Sequence, residues 1–178
     1  MEPLPGKAIP SGNREELRIW MYFFQPMKEV NKACREFPLY PRAGVGAVVF
    51  KGESILLIKR GQEPNKGLWT VPGGLIQLGE YSRDAIIQEI REECSIDINL
   101  LNVIDCFDFI DIATSKKIKY HYIVLEFLAE YMAGDVKAQS DAQSADWFSL
   151  DQIKNLHTTQ KTLDLVTKAF KEYKSLTI

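Results

Sequence analysis

The chain has 178 residues, 46% hydrophobic and 26% charged, with a net charge of −2. This length suits one domain with its own core, and the composition is that of an ordinary globular protein. A balance so near neutral gives no field for a polyanion, so bulk nucleic acid is not an expected partner. No apolar run is long enough to cross a bilayer, so no membrane is expected either.

Residues 1–12 are rich in Pro and Gly and are expected to be mobile. Pro3, Pro5 and Pro10 interrupt any apolar targeting core, so no secretory signal is read there and a cytoplasmic setting is expected. Asn13 with Glu16 forms a variant of the capping box. Leu17, Trp20, Met21 and Phe24 then recur at helical spacing until Pro26, and Met27, Val30, Cys34 and Phe37 continue the apolar face to Pro38. Residues 1–38 therefore read as an N-terminal helical extension to a domain over 39–178. Its apolar load implies packing on its own domain or a homodimer contact, with a membrane-surface helix as a weaker third choice because Lys and Arg are few.

Ala43 to Phe50 is a buried strand, Lys51 to Ser54 a hairpin turn and Ile55 to Lys59 the return strand. A polar loop runs from Gly61 to Gly67. Leu68 to Val71 is extended and leads to a Pro72-Gly73-Gly74 turn. A helix is expected from about Ser82 to Cys94. Asn99–Ile110 and Lys119–Glu130 are strands about a polar turn at Thr114–Lys117, and Asp146–Phe148 is a short strand. A last helix from about Thr159 to Tyr173 aligns Leu163, Val166 and Phe170. Strands dominate and helices flank them, which gives an α+β layered domain. Cys34, Cys94 and Cys106 fit neither a zinc pattern nor a disulfide framework; each is expected as a small buried apolar residue.

The chemistry concentrates between Gly74 and Ile96. On a helix Glu89, Glu92 and Glu93 fall at i, i+3 and i+4 and share a face. Taken alone, such an acidic run is more often a solvated surface. Here Ala85, Ile86 and Ile90 give the helix a packing side, and the glycine turn before it lets backbone approach a ligand closely. Mutually repelling carboxylates are relieved by a hard divalent cation, which takes oxygen ligands.

The stretch resembles the signature box of the Nudix hydrolases, G-x5-E-x7-R-E-U-x-E-E-x-G-U, where U is apolar. Gly74, Glu80, Glu89, Ile90, Glu92, Glu93 and Ile96 match it. Gln88 stands where the family has Arg, and Ser95 where it has Gly. The approach LWTVPGG, Leu68 to Gly74, is also similar, and the likeness spans roughly Pro41 to Phe170. It implies an α/β/α sandwich around a mixed β-sheet. It further implies Mg²⁺ (or Mn²⁺) as cofactor and hydrolysis of a nucleoside diphosphate linked to a moiety X, giving a nucleoside monophosphate and phospho-X. On this resemblance Glu89 and Glu93 are metal ligands. Glu92 is a co-ligand or the general base, with Glu93 the other candidate base. A main-chain carbonyl at Gly73 or Gly74 completes the shell. Glu80 holds the loop or binds a further ion, and Gln88 takes the place of the Arg that orients a catalytic Glu.

Arg60 is a candidate phosphate clamp and Trp69 a candidate wall of the substrate site, with surface position and core packing as their plain alternatives. Phe107, Phe109, Tyr120 and Tyr122 offer either a stacking platform or sheet packing. Asp141 is either a late acidic ligand or a turn residue. Catalysis is not the favoured role of His121 or His157.

The substrate markers are missing. No proline follows Pro72, so the proline found in ADP-ribose-cleaving members is absent. The tyrosine of dinucleoside polyphosphate hydrolases and the SQPWPxPxS run and zinc cysteines of the NADH-cleaving branch are absent too, although Tyr40-Pro41-Arg42 is similar to that branch. An ADP-ribose-like or sugar-nucleotide substrate is favoured on general likeness. The alternatives are an ordinary or oxidised nucleoside triphosphate, and a regulatory Nudix-like domain without catalysis. An isoprenoid isomerase on this fold would need Cys and Glu motifs that Cys94 and Cys106 do not reproduce.

Overall fold

The structure, a computed structural model, describes residues 35–176. The extension and dimer contact expected of Leu17–Phe37 lie almost wholly outside these residues.

Strand β1 (Arg42–Lys51) is apolar at both parities. Successive side chains of a strand point to opposite faces, so such a strand must be covered on both sides. Val45, Ala47 and Val49 enter one core, while Val48 and Phe50 enter the other. Strand β2 (Ser54–Arg60) divides in the same way, with Leu56 and Ile58 on one side and Ile55 and Leu57 on the other. Gly52, at φ +61°, makes the tight turn between them.

Short strands β3 (Trp69–Thr70) and β4 (Gly73–Leu75) pair with β2 and β1 respectively. β5 (Asp97–Ile112) and β6 (Ile118–Ala133) form a long antiparallel hairpin. β6 runs parallel to β1, and β7 (Ala142–Phe148) closes the far edge of β2. The sheet is therefore mixed, with seven strands among the described residues.

Helix α1 (Ser82–Cys94) covers one face and buries Ala85, Ile86, Ile90 and Cys94 against Val45, Ala47 and Phe127. Each fully buried Ile contributes roughly 1.5–3 kcal/mol. Helix α2 (Leu150–Ile153) is a single turn held by the reciprocal cap of Ser149 and Gln152. Helix α3 (Gln160–Leu176) covers the other face through Leu165, Val166 and Ala169, and Tyr173 stacks on Phe50 with ring centres 4.2 Å apart. The result is the expected α/β/α sandwich.

Three local expectations change. The buried stripe of α3 centres on Leu165, Val166 and Ala169, so Leu163 and Phe170 flank it. Cys106 is exposed, because strand alternation turns it away from the neighbouring cleft residue Phe107; Cys94 is buried as expected. Gly73 and Gly74, expected in a turn, instead open strand β4, because they pair with Gly46 and Val45 of β1, while β3 falls within the extended Leu68–Val71 as expected.

Ser95 ends α1 in the left-handed region, at φ 59° and ψ 32°, with its N–H donating to the Arg91 carbonyl. A side chain is strained there and glycine is not. Ser95→Gly is therefore expected to raise stability by about 0.5–1 kcal/mol, net of the added freedom of the unfolded chain. Thermal melting checks this; an unchanged or lower Tm refutes it.

Candidate active site

The site forms where β4 passes between β1 and α1. A Cβ on Gly73 would strike the Val45 carbonyl and the Gly46 Cα, and one on Gly74 would strike the Glu89 carboxylate. Only glycines let the chain run this close to both elements. The Gly73 N–H donates to Glu93 Oε2 at 3.1 Å.

The three box acids are not equivalent. Helical geometry turns Glu89 and Glu93, four residues apart, toward the glycine turn and rotates Glu92 outward. Glu93 is 5% exposed, Glu89 is half-buried and Glu92 is exposed. Burial pushes the Glu93 carboxyl up to about 7; the Gly73 N–H opposes this, Glu89 adds to it, Arg60 opposes and Asp141 adds. Burial also raises Glu89, with further upward pressure from Glu92, Glu80 and Asp141 and an opposing pull from Arg35.

Among the described residues no three acidic, histidine or cysteine side chains already converge as a closed ligand set. The donor set nevertheless suits a hard divalent cation. Two inward carboxylates crowd a glycine cradle that a Cβ would fill, and burial first, with neighbouring carboxylates adding, raises both.

Gln88 Nε2 donates to Glu92 Oε1 at 2.7 Å, one helical turn away. The amide stands at the box position where the family has Arg. An Arg would supply a second donor and a full charge. Gln88→Arg is expected to raise kcat about three- to tenfold at saturating Mg²⁺, equivalent to roughly 0.7–1.4 kcal/mol. No rise, with fold and metal affinity unchanged, would mean that the amide already suffices.

Glu80 stands before the helix and closes its own loop, accepting the Gln77 N–H at 2.8 Å. Arg60 borders the cleft, with its Nε donating to the Pro64 carbonyl at 2.8 Å. Asp141 also borders it. It accepts from Gln62 Nε2 at 2.7 Å and meets Arg35 Nη1 at 3.6 Å. Trp69 does not line the cleft. Its ring packs edge-on against Phe148, with centres 4.9 Å apart, in the core beneath α3. Expected as a wall of the site, Trp69 is a packing residue, since β3 turns its side chain into that core.

The cleft has a volume of about 390 Å³. Beyond the acids, its floor is built by β1, β5 and β6. Register shifts in β5 between Leu100 and Asp105 leave Asp105, Phe107 and Phe109 opposite Glu126, Val124 and Tyr122. Phe107, Phe109 and Tyr122 therefore face the cleft, while Tyr120 donates its hydroxyl to Glu36. His121 contacts Asp108, and the His157 carbonyl accepts the Trp69 N–H. Neither histidine lines the cleft.

Two charged cleft residues escaped the sequence reading, Arg35 and Glu126. Arg35 has no local signal. Glu126 does have one: it is the single acid inside the apolar run Ile123–Ala129.

The family model described as NUDIX domain matches residues 40–170. The chain is similar to an ADP-ribose pyrophosphatase of Methanocaldococcus jannaschii, with 30% identity over 66% of this chain and 68% of that protein. Its fold is similar to that of a MutT NUDIX hydrolase from Burkholderia pseudomallei, with 28% identity, TM-score 0.60 and coverage of 74% of this chain and 97% of that one. It is also similar to a bifunctional NMN adenylyltransferase/ADP ribose pyrophosphatase from Francisella tularensis complexed with AMP and a manganese ion. There the identity is 26% and the TM-score 0.56, over 75% of this chain and 42% of that one. With its acids at the glycine turn, its sandwich and a match over most of its length, this chain belongs to the Nudix hydrolase family.

Proposed function

We propose that the protein is a divalent-metal-dependent pyrophosphohydrolase of nucleoside diphosphate-X compounds, with an ADP-ribose-like or sugar-nucleotide substrate. The carrying observation is the pair of buried Glu93 and half-buried Glu89 set against Gly73 and Gly74 of β4. Likeness to the ADP-ribose pyrophosphatases of M. jannaschii and F. tularensis supports the substrate class.

Glu89 and Glu93 would hold Mg²⁺ or Mn²⁺, with Glu92 as co-ligand and a main-chain carbonyl at Gly73 or Gly74. Such an ion, held there, would supply charge neutralisation at the phosphate oxygens and a more acidic water. Around it, Gly73 fixes the Glu93 carboxylate by its N–H, and Gln88 fixes Glu92. Glu92 or Glu93 takes the proton from the attacking water. Arg60 supplies positive charge at the rim for the diphosphate. Water attacks one phosphorus, the bridging anhydride bond breaks, and a nucleoside monophosphate and phospho-X leave.

The test is a panel of ADP-ribose, sugar nucleotides and nucleoside triphosphates assayed with Mg²⁺ and with chelator. Mg²⁺-dependent release of nucleoside monophosphate from diphosphate-X compounds is expected. Turnover restricted to triphosphates, or none at all, refutes the reading. The same reading includes a homodimer formed through the apolar segment Leu17–Phe37. Light scattering should give twice the chain mass, and a single-chain mass refutes that part.

A further inference from the structure

We propose that Glu126 recognises the nucleobase of the substrate, pairing its carboxyl with a ring edge that presents an amino N–H beside a ring nitrogen, as adenine does. The inference rests on the diphosphate-X reading for the position of the phosphates and assigns the part of the cleft beside them.

Glu126 sits mid-strand in β6 and is 4% exposed, yet it lines the same cleft as Glu89 and Glu93. Its Oε2 is buried with no hydrogen-bond partner. Buried polar atoms are nearly always bonded, and an orphaned one costs stability unless something satisfies it. A carboxyl kept only for structure would carry partners of its own.

The surroundings fit a flat ring. Glu126 pairs in register with Gly46 on β1, and a Cβ there would collide with its carboxylate. Gly44 lies opposite Val124. The Glu126 carboxylate itself occupies the space over Gly46, and beside it the cleft is walled by Phe107 and by the stacked Phe109 and Tyr122 rings, whose centres are 6.1 Å apart. The Tyr122 hydroxyl is a second buried group without a partner. Two unpartnered polar groups beside aromatic faces are what a planar heterocycle with polar edges would complete.

The Glu126 carboxylate lies over Gly46, the β1 partner of Gly73, so the proposed base site adjoins the acid site across β1.

Two charged groups face Glu126, Asp105 on β5 and Lys161 on α3. The Lys161 ammonium lies 3.2 Å from the centre of the Phe107 ring. Burial, reinforced by Asp105 and opposed by Lys161, pushes the Glu126 carboxyl up to about 8. At neutral pH it therefore keeps a proton, donating through its hydroxyl and accepting through its carbonyl. Those two functions match a ring nitrogen and the adjacent amino group.

The experiment is titration calorimetry with AMP and with purine riboside 5′-monophosphate, which lacks only the amino group. Wild type, Glu126→Gln and Glu126→Leu are compared after melting curves confirm their fold. Wild type should bind AMP at least about tenfold more tightly, since a site built to bond a group rejects the analogue without it. Glu126→Gln, which keeps a donor and an acceptor, should retain that preference; Glu126→Leu should abolish it. Wild-type affinity for AMP should fall above pH 8, where the carboxyl loses its donor, and that of Glu126→Gln should not. Absence of preference in wild type, or an unchanged preference in Glu126→Leu, overturns the proposal. Should Glu126→Leu fail to fold, the pH profiles of wild type and Glu126→Gln decide alone, and parallel profiles overturn it. Binding is read without turnover, so failure here is separate from failure of the diphosphate-X hydrolysis assay.

Discussion

Glu93→Gln should lower kcat at least about 100-fold on the best diphosphate-X substrate while leaving the fold intact. The exchange is nearly isosteric, and the Gln carbonyl can still accept the Gly73 N–H that Glu93 now accepts at 3.1 Å. What is lost is the charge, and with it a metal ligand and a candidate base. Removing a positioned general base typically costs 10²–10⁴-fold. Stability should not fall, because the native carboxyl is 5% exposed and held up near 7 by burial, so it ionises at some cost. The measurement is kcat at saturating Mg²⁺, paired with a melting curve. Turnover within a few-fold of wild type would remove Glu93 from the reaction, and a collapsed melting transition would make its role structural.

The contrast between Glu93 and Glu92 shows what the sequence could and could not convey. Spacing placed Glu89, Glu92 and Glu93 on one helical side, and α1 runs from Ser82 to Cys94 as read. The 100° step between residues is nevertheless coarse. It does not say which acid meets the glycine turn, and the structure buries Glu93 while Glu92 bonds Gln88 in the open. The long apolar strands β1, β2 and β6 were legible because both parities are apolar or alternate over many residues. β4 was not, since three residues carry no period and exist as a strand only through their partner β1. Trp69 was ambiguous for a similar reason: its face depends on which edge of β2 its two-residue strand joins.

The cleft floor was the least legible part. The register shifts that set Phe107 against Val124 and Phe109 against Tyr122 arise from β5 pairing with β6, a non-local event. Glu126 was visible as an acid among Leu125, Phe127 and Leu128. An acid in such a run reads as a solvent-facing alternate unless both sides of the sheet are known to be covered. Here α3 covers the side that Glu126 faces, so the acid is buried and the alternation is broken for a reason outside the strand.

That burial makes the second large effect a matter of pH. Glu126→Gln should raise the melting temperature, by several degrees more at pH 9 than at pH 5. In the folded protein burial pushes the carboxyl up to about 8, against about 4.5 for a solvated glutamate. Below pH 4.5 both folded and unfolded chains hold the proton, and the group costs nothing through ionisation. Between 4.5 and 8 the folded state binds more protons than the unfolded, so stability falls as pH rises through that window. Above 8 the folded protein carries a buried carboxylate, and the accumulated penalty is on the order of several kcal/mol. Gln has the same size and bonding edge but no charge to lose, so its advantage over Glu is small at pH 5 and fully grown at pH 9. With roughly 2–4 °C per kcal/mol for a domain of this size, the gain at pH 9 should be near 10 °C. Asp105 and Lys161, which tune the group, are unchanged in the variant and cancel in the comparison. Equal gains at the two pH values would mean that Glu126 ionises as freely in the folded protein as in the unfolded chain. The orphaned Oε2 would then be solvated in the cleft. A several-degree difference, with AMP binding retained, would instead show a residue that weakens the fold above neutral pH and serves the ligand below it.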